Sequence, residues 1–178
     1  MARIVHDWRI DFMRAHPRLF EVRSDEPERS FGYPLCEAGW RNVLERLCTR
    51  IETALKANET FEFVRIKQKL GVLRVDWDGE VPDETRLKFG EAVNLAVARS
   101  ACTCEICGAE GGLYSRRGWL ATRCAEHAAG DPVPLRSGFE KVRILRRRPG
   151  GSEIYRAWYD RETDMLTEIS PPSPGSEE

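Results

Sequence analysis

The stretch Cys104-Glu105-Ile106-Cys107-Gly108, with its partner Cys124-Ala125-Glu126-His127 further along the chain, decides how this part of the protein folds. Two residues separate the ligands within each pair, and about sixteen separate the pairs. Cysteine thiolates and a histidine imidazole with this spacing can close a tetrahedral Cys₃His shell around zinc. The pattern therefore predicts a zinc site with the ligands Cys104, Cys107, Cys124 and His127.

The residues around these ligands predict the local shape of the site. Gly108 permits the backbone conformation that a tight Cys-x-x-Cys turn requires. The glycine-rich segment 111–118 is expected to form a hairpin, and Cys124 is expected to open a helical turn that puts His127 on the same side. Three apolar residues are predicted to cover the site: Leu113, Trp119 and Leu120. Together these parts predict a treble-clef-like zinc finger.

A neighbouring cysteine, Cys102, leaves an alternative open, because it could replace one ligand or remain a spare thiol. We favour a position outside the shell, since Cys104 and Cys107 have the better spacing. A shell of four protein ligands has no open position for water or substrate, so the zinc is predicted to be structural. Its binding free energy would then contribute to folding.

Composition limits the classes of function. The 178 residues include 28 Lys and Arg against 29 Asp and Glu, so no bulk attraction to nucleic acid or membrane is expected. No apolar stretch approaches the length of a membrane span, and the first residues lack the apolar run of a secretory signal. We therefore expect a cytoplasmic protein without membrane contact, in which the six cysteines serve metal binding and core packing rather than disulfides.

Residues 1–100 are predicted to form an α+β domain. A short first helix should end at His16-Pro17, because the residue before proline avoids the helical region. A stronger helix follows, whose apolar stripe has intervals of three and four. The stripe consists of Trp40, Val43, Leu44, Leu47, Cys48, Ile51 and Leu55.

After this helix the period of the apolar residues changes to two. The alternation at Phe61 and Phe63 and again over 73–77 predicts two half-buried strands, joined antiparallel by a turn near Lys69-Leu70-Gly71. A third helix is predicted from Asp83 or Glu84 to about Ser100. Its buried residues are expected to be Leu87, Val93, Ala96 and Val97.

The remainder divides into three parts: a zinc-finger lobe over 101–130, a C-terminal antiparallel β-meander over 131–170, and a disordered tail over 171–178 rich in Pro, Ser and Glu. The meander strands are predicted at 139–147, 153–159 and 165–169, with turn-forming residues between them. The predicted fold class is thus α+β, combining helices, a β-hairpin, a treble-clef-like finger and the meander.

A dense basic run in the C-terminal part is a candidate binding surface. Its arginines could contact phosphates together with two more at the tip of the predicted finger hairpin, while Trp158, Tyr155 and Tyr159 could stack on bases. The alternative is a solvated strand whose arginines pair with acids across the sheet. The arginines are Arg116, Arg117, Arg143, Arg146, Arg147 and Arg148.

The sequence contains no assembled catalytic constellation. With His127 assigned to the metal, His6 and His16 are left for acid or base chemistry, and neither has an evident nucleophile beside it. His-Asn-His nucleases share this finger shape, but segment 109–123 contains no histidine and no asparagine. Enzymatic activity is therefore not predicted.

Several stretches resemble a family of small uncharacterised proteins from bacteria and their phages. They are Gly39-Trp40 before a helix ending in Leu47-Cys48, the strand pair over 64–74, the stretch 103–109 and the stretch 118–127. The similarity covers roughly 12–128 and departs from the family at Leu70, where an aromatic residue is expected. The resemblance implies the same four zinc ligands, but no established activity.

Together these observations favour a non-enzymatic, zinc-stabilised binding protein, associated with a phage or prophage, that contacts nucleic acid or a nucleic-acid-handling protein. One alternative is a protein-directed adaptor or inhibitor, in which aromatic and arginine side chains form the centre of an interface. A second alternative is a hydrolase or nuclease with an unrecognised site. Whether the partner is DNA, RNA or protein stays open.

Overall fold

The structure is a computed structural model that describes residues 7–134, 143–147 and 154–169. Within these ranges three α-helices and three small sheets confirm the predicted α+β class. The helices are α1 (Trp8–Ala15), α2 (Arg41–Ala54) and α3 (Asp83–Ser100). The strands are β1 (Pro34–Leu35), β2 (Glu62–Lys69), β3 (Val72–Asp78), β4 (Gly112–Arg116), β5 (Trp119–Arg123), β6 (Asp131–Pro132), β7 (Arg143–Arg147), β8 (Ile154–Asp160) and β9 (Met165–Ile169).

Helix α2 is the centre of the hydrophobic core. Its apolar stripe is buried as predicted, because residues three and four apart share one face of a helix, and that face packs on α3 in a cluster that also contains residues of β2 and β3. Trp40, which begins the stripe, is fully buried, and its indole nitrogen donates to the carbonyl of Thr103 over 2.8 Å. The core and the region of the cysteines are therefore joined at the start of this helix.

The hairpin of β2 and β3 forms with the predicted turn. Leu70 and Gly71 both have positive φ, 54° and 85°, which is the geometry of a two-residue turn that matches the twist of the strands. A β-bulge between Phe63 and Arg65 shifts the alternation by one residue. Ile66 is consequently buried in the core, although a strict two-residue period from Phe63 points Arg65 inward.

The predicted burial of Leu87 on α3 is wrong, because this side chain is 47% exposed. Phe89 determines the rotation of the helix: it is fully buried, with its ring centroid 5.1 Å from that of Phe61 and 5.3 Å from that of Trp77. Two positions along a helix differ by about 200°, so burial of Phe89 turns Leu87 toward solvent. The buried face is Thr85, Phe89, Ala92 and Ala96, while Val93 and Val97 are half-buried.

The C-terminal sheet pairs β7 with β8 and β8 with β9, all antiparallel. Asp164, in the turn between β8 and β9, anchors it on the helices by accepting hydrogen bonds from Arg46 at 3.0 Å and Arg50 at 2.5 Å. The hydroxyl of Tyr159 donates to the same carboxylate, and Arg99 lies 3.5 Å from it. The predicted strand residues 139–142 and 153 and the predicted tail lie outside the described residues.

Candidate metal centre

The four predicted ligands converge on one point. Their donor atoms, three sulfurs and one imidazole nitrogen, all lie within 4.8 Å of one another. The Sγ atoms of Cys107 and Cys124 are 3.7 Å apart, and Nδ1 of His127 lies 3.2 Å from Cys124 Sγ and 3.7 Å from Cys104 Sγ. This cluster could hold a metal ion.

The separations fit a tetrahedral metal. Metal–sulfur bonds of about 2.3 Å and a metal–nitrogen bond of about 2.0 Å place the sulfurs about 3.8 Å apart and sulfur and nitrogen about 3.5 Å apart. The observed values of 3.7 Å and of 3.2–3.7 Å lie close to both expectations. A disulfide between Cys107 and Cys124 needs sulfurs about 2.05 Å apart, and both cysteines are free.

Backbone hydrogen bonds shape the first turn of the site. The amide of Gly108 donates to the carbonyl of Cys104 over 2.9 Å, and the amide of Cys104 donates to the carbonyl of Ala109 over 2.8 Å. Gly108 has φ +79°, a conformation that side chains other than glycine rarely adopt, as predicted for this turn. The tight turn brings the two sulfurs of the Cys-x-x-Cys pair to one side.

The same turn favours the thiolate that a metal requires. Burial opposes ionisation of Cys104, but the amides of Cys107, Cys124 and Ile106 donate to its sulfur and lower the pKa to about 6. A thiol with this pKa is largely ionised at neutral pH, and thiolate is the form that binds metals. The electrostatics of the turn therefore support metal binding.

The second ligand pair follows a hairpin. Strands β4 and β5 are joined by Arg117 and Gly118, which both have positive φ, and β6 pairs with the outer edge of β4. After β5, the amide of His127 donates to the carbonyl of Cys124 over 3.1 Å. This single turn places His127 beside Cys124 as expected, although no α-helix continues from it within the described residues.

The predicted cover of the site by Trp119 is wrong, and Leu113 has a different contact. Trp119 is 70% exposed, and the side chain of Leu113 lies against Gly71 in the turn between β2 and β3. The reason is that the β4–β5 hairpin packs on this turn: Thr122 Oγ1 donates to the carbonyl of Gly71 over 2.6 Å. Leu120 is half-buried, and its carbonyl accepts a hydrogen bond of 2.6 Å from Gln68 Nε2.

Gly39 joins the core to the lobe that carries the four candidate ligands, residues 101–130, which we call the metal lobe. Sequence reasoning missed this role. Its amide donates to the carbonyl of Glu105 over 2.8 Å. A Cβ at this position would lie 2.4 Å from Cys104 O, 2.5 Å from Glu105 O and 2.6 Å from Gly108 N. No side chain fits in that space, so the Gly-Trp pair before α2 is the signal that could have predicted this contact.

Glu105 is a second residue that the sequence did not single out. It lies between the first two ligands, is only 5% exposed, and accepts from Arg123 Nη1 at 2.8 Å and from the amide of Glu37 at 3.3 Å. A buried carboxylate needs such partners, because burial of an unpaired charge is costly. Glu105 therefore links the Cys-x-x-Cys turn to both β5 and the segment before α2.

Cys102 lies outside the cluster, in agreement with the favoured interpretation. Its sulfur donates to the carbonyl of Arg99 at the end of α3 over 3.3 Å, and burial raises the pKa of its thiol. A thiol with a raised pKa is a poor metal ligand at neutral pH.

The predicted binding residues fall into separate parts of the fold. Arg116 and Arg117 are exposed at the turn of the β4–β5 hairpin, whereas Trp158, 36% exposed, belongs to β8. Tyr159 cannot stack on bases as predicted, because it is buried with its hydroxyl bonded to Asp164. Three arginines of the basic run lie on β7: Arg143, Arg146 and Arg147. Their side chains and that of Tyr155 are not among the described side chains, and Arg148 lies outside the described residues.

Comparisons with known protein families, with curated proteins and with solved structures find no match to this chain. The resemblance to small bacterial and phage proteins therefore stays a prediction. None of the described helices is both long enough and apolar enough to cross a membrane.

Proposed function

We propose that this protein is a non-enzymatic nucleic-acid-binding protein whose contact surface is held in place by one structural Zn²⁺. The S₃N donor set and its near-tetrahedral separations support zinc, which prefers these ligands. Four protein ligands leave no position for a reacting water, which favours a structural over a catalytic role. The Cys-x-x-Cys turn and the hairpin support our assignment of the lobe as a treble-clef-like finger, in which the turn from Cys124 to His127 stands where such a finger has a helix.

The observation that carries the binding role is the hairpin tip, defined as Arg116, Arg117 and Trp119. All three residues are exposed, and Trp119 shows 70% of its surface to solvent. An exposed tryptophan beside cationic side chains suits stacking on a base, while the arginines contact the phosphates on either side. Because stacking needs an unpaired base, we assign single-stranded nucleic acid as the ligand.

The tip is rigid enough to act as a preformed surface. Arg116 and Trp119 are directly paired across the hairpin, and the two residues between them form a tight turn. The base of the hairpin is held by the hydrogen bond from Thr122 to Gly71 and continues directly into the ligand Cys124. A preorganised surface loses little conformational entropy on binding.

Titration of zinc-loaded protein into labelled single-stranded DNA, single-stranded RNA and duplex DNA, at low and near-physiological salt, tests this proposal. Trp119→Ala should weaken single-strand binding by about 5- to 150-fold, the loss expected for one stacked base. Arg116→Gln with Arg117→Gln should reduce the slope of log affinity against log salt by about 1.4. Trp158→Ala is the matched control and should leave binding unchanged.

Absence of binding to all three nucleic acids at low salt would contradict the proposal. The same exposed tryptophan and arginines are also the residue types that dominate protein–protein interfaces. A pull-down that captures one protein with the wild type, but not with Trp119→Ala, would then identify the adaptor or inhibitor role as the correct one.

A further inference from the structure

A cavity of about 460 Å³ lies where three parts of the chain meet. Arg41 comes from the start of α2, Arg99 from the end of α3, and Arg161 from the turn between β8 and β9. Cys107 and Gly108 of the metal lobe form another wall. This volume lies within the range of small-molecule sites.

The cavity lining contains three arginines and one acidic residue, Glu45, which already contacts other side chains. Glu45 bonds the ring of His16 at 3.1 Å and lies 3.5 Å from Arg41. Arg99 lies 3.5 Å from Asp164 and donates to the hydroxyl of Tyr159 over 3.0 Å. Since Arg41 and Arg99 each lie beside an acid, the remaining positive charge of the cavity comes from Arg161.

Arg161 has no acidic partner among the described residues. Its Nη2 makes a long hydrogen bond of 3.5 Å to the carbonyl of Gly108, and its Nε is buried without an acceptor. Buried donors in proteins nearly always have a partner, so an unpaired one calls for a missing water or ion. Arg161 thus lines the cavity with a guanidinium charge that no described carboxylate neutralises.

We propose that this arginine-lined cavity binds the phosphate group of a small phosphate monoester. Guanidinium groups match phosphate geometry with paired N–H donors, and a dianion offsets the charge that the walls leave uncompensated. The cavity is larger than one phosphate group, which leaves room for the organic part of the ester. This inference is independent of the hairpin tip and of the proposed nucleic-acid contact.

Because of the position of the cavity, ligand binding should affect how firmly the C-terminal sheet is held. Its walls come from the metal lobe, the helices and the C-terminal sheet, so a bound phosphate ties the sheet to the rest of the protein. A ligand that binds the docked state alone stabilises that state by mass action. Ligand binding is therefore expected to slow hydrogen exchange in β8 and β9.

Titration of the zinc-loaded protein with inorganic phosphate, adenosine monophosphate and adenosine, followed by amide chemical shifts, tests the inference. The first two should bind saturably and shift the amides of Gly39, Arg41 and Gly108, whereas adenosine should not. Arg161→Gln and, separately, Arg41→Gln should weaken adenosine monophosphate at least tenfold. Arg86→Gln, an exposed arginine about 20 Å along α3 from Arg99, should bind like the wild type.

Zinc content and melting temperature of each variant serve as the check on folding. Because Arg41 is exposed, its substitution should preserve both even if loss of Arg161 loosens the sheet. Absence of saturable phosphate and adenosine monophosphate binding by the wild type, or unchanged affinity in both cavity variants, would overturn the inference. Trp119→Ala should not affect this binding, which separates the cavity from the hairpin tip.

Discussion

The core around α2 and the lobe around the cysteines are held together by different means. The core buries large side chains completely, among them Trp40, Phe12, Phe63 and Phe89. In the described part of the lobe after Cys104, the fully or nearly buried side chains are small or polar, such as Ala121 and Thr122. Apolar burial therefore stabilises the first region, whereas under our proposal the second depends on a metal held by its Cys/His cluster.

Removal of a metal ligand should separate the behaviour of the two regions most strongly. Cys104→Ser should reduce bound zinc from one ion per chain to none, because a serine hydroxyl is a poor zinc ligand. Structural zinc contributes roughly 10–16 kcal/mol in isolated fingers, so the lobe should lose its order while the core keeps its own. Metal analysis and amide spectra measure both effects. Cys102→Ser is the matched control, and full zinc occupancy in Cys104→Ser would contradict the assignment.

A core substitution should show the opposite behaviour. Phe89→Ala removes a fully buried ring from an aromatic cluster and should lower the free energy of unfolding by about 3–5 kcal/mol. Bound zinc should stay at one ion per folded chain, because the ring packs against Phe61 and Trp77 in the core. Urea denaturation with parallel metal analysis checks this. Leu87→Ala, exposed on the same helix, should change stability by less than about 1 kcal/mol.

Gly39→Ala tests the joint between the two regions. The added methyl group would overlap three backbone atoms of the Cys-x-x-Cys turn, which should cost about 1–3 kcal/mol and weaken zinc binding at the same time. Gly90→Ala is the matched control, since nothing lies within 4 Å of its added Cβ and an exposed helical alanine should stabilise by roughly 0.5–1 kcal/mol. Denaturation and zinc competition measure the two effects. Equal stability of both variants would contradict the close backbone contact between Gly39 and the Cys-x-x-Cys turn.

The C-terminal sheet adds a third case, in which charge provides the anchor. Burial opposes ionisation of Asp164, but hydrogen bonds from Tyr159 and Arg50 outweigh it and lower its pKa from 3.8 to about 2. A carboxyl with a depressed folded-state pKa stabilises the protein above pH 4, and that contribution is lost as the pH falls from about 4 to about 2.

Asp164→Asn should therefore destabilise the sheet by about 2 kcal/mol at pH 7, and the difference from wild type should vanish near pH 2. Hydrogen exchange of β8 and β9 across this pH range measures the effect. Asp25→Asn, at an exposed carboxylate that does not belong to the sheet, is the control and should show little difference. A gap between wild type and Asp164→Asn that persists at pH 2 would rule out the carboxylate as the anchor.

The features that the sequence predicts correctly are those in which a pattern within a short segment is compatible with only one local structure. The stripe of α2, the turn at Leu70-Gly71 and the convergence of four metal ligands all follow from spacing within a short segment. The predicted burial of Leu87 is wrong because the contacts of Phe89 with Phe61 and Trp77, which are distant in sequence, set the rotation of α3. The roles of Glu105 and Arg161 arise only when separate segments meet, so no local pattern reveals them, whereas Gly39 carries a signal in the Gly-Trp pair before α2.

Hydrogen exchange with and without a chelator shows whether a bound metal keeps the lobe ordered. Zinc-loaded protein and protein treated with a strong chelator would be compared peptide by peptide across the chain. We expect loss of protection over 104–127, with protection retained in α2 and the β2–β3 hairpin. Unchanged protection over 104–127 in demonstrably zinc-free protein would contradict the claim that a metal holds the lobe.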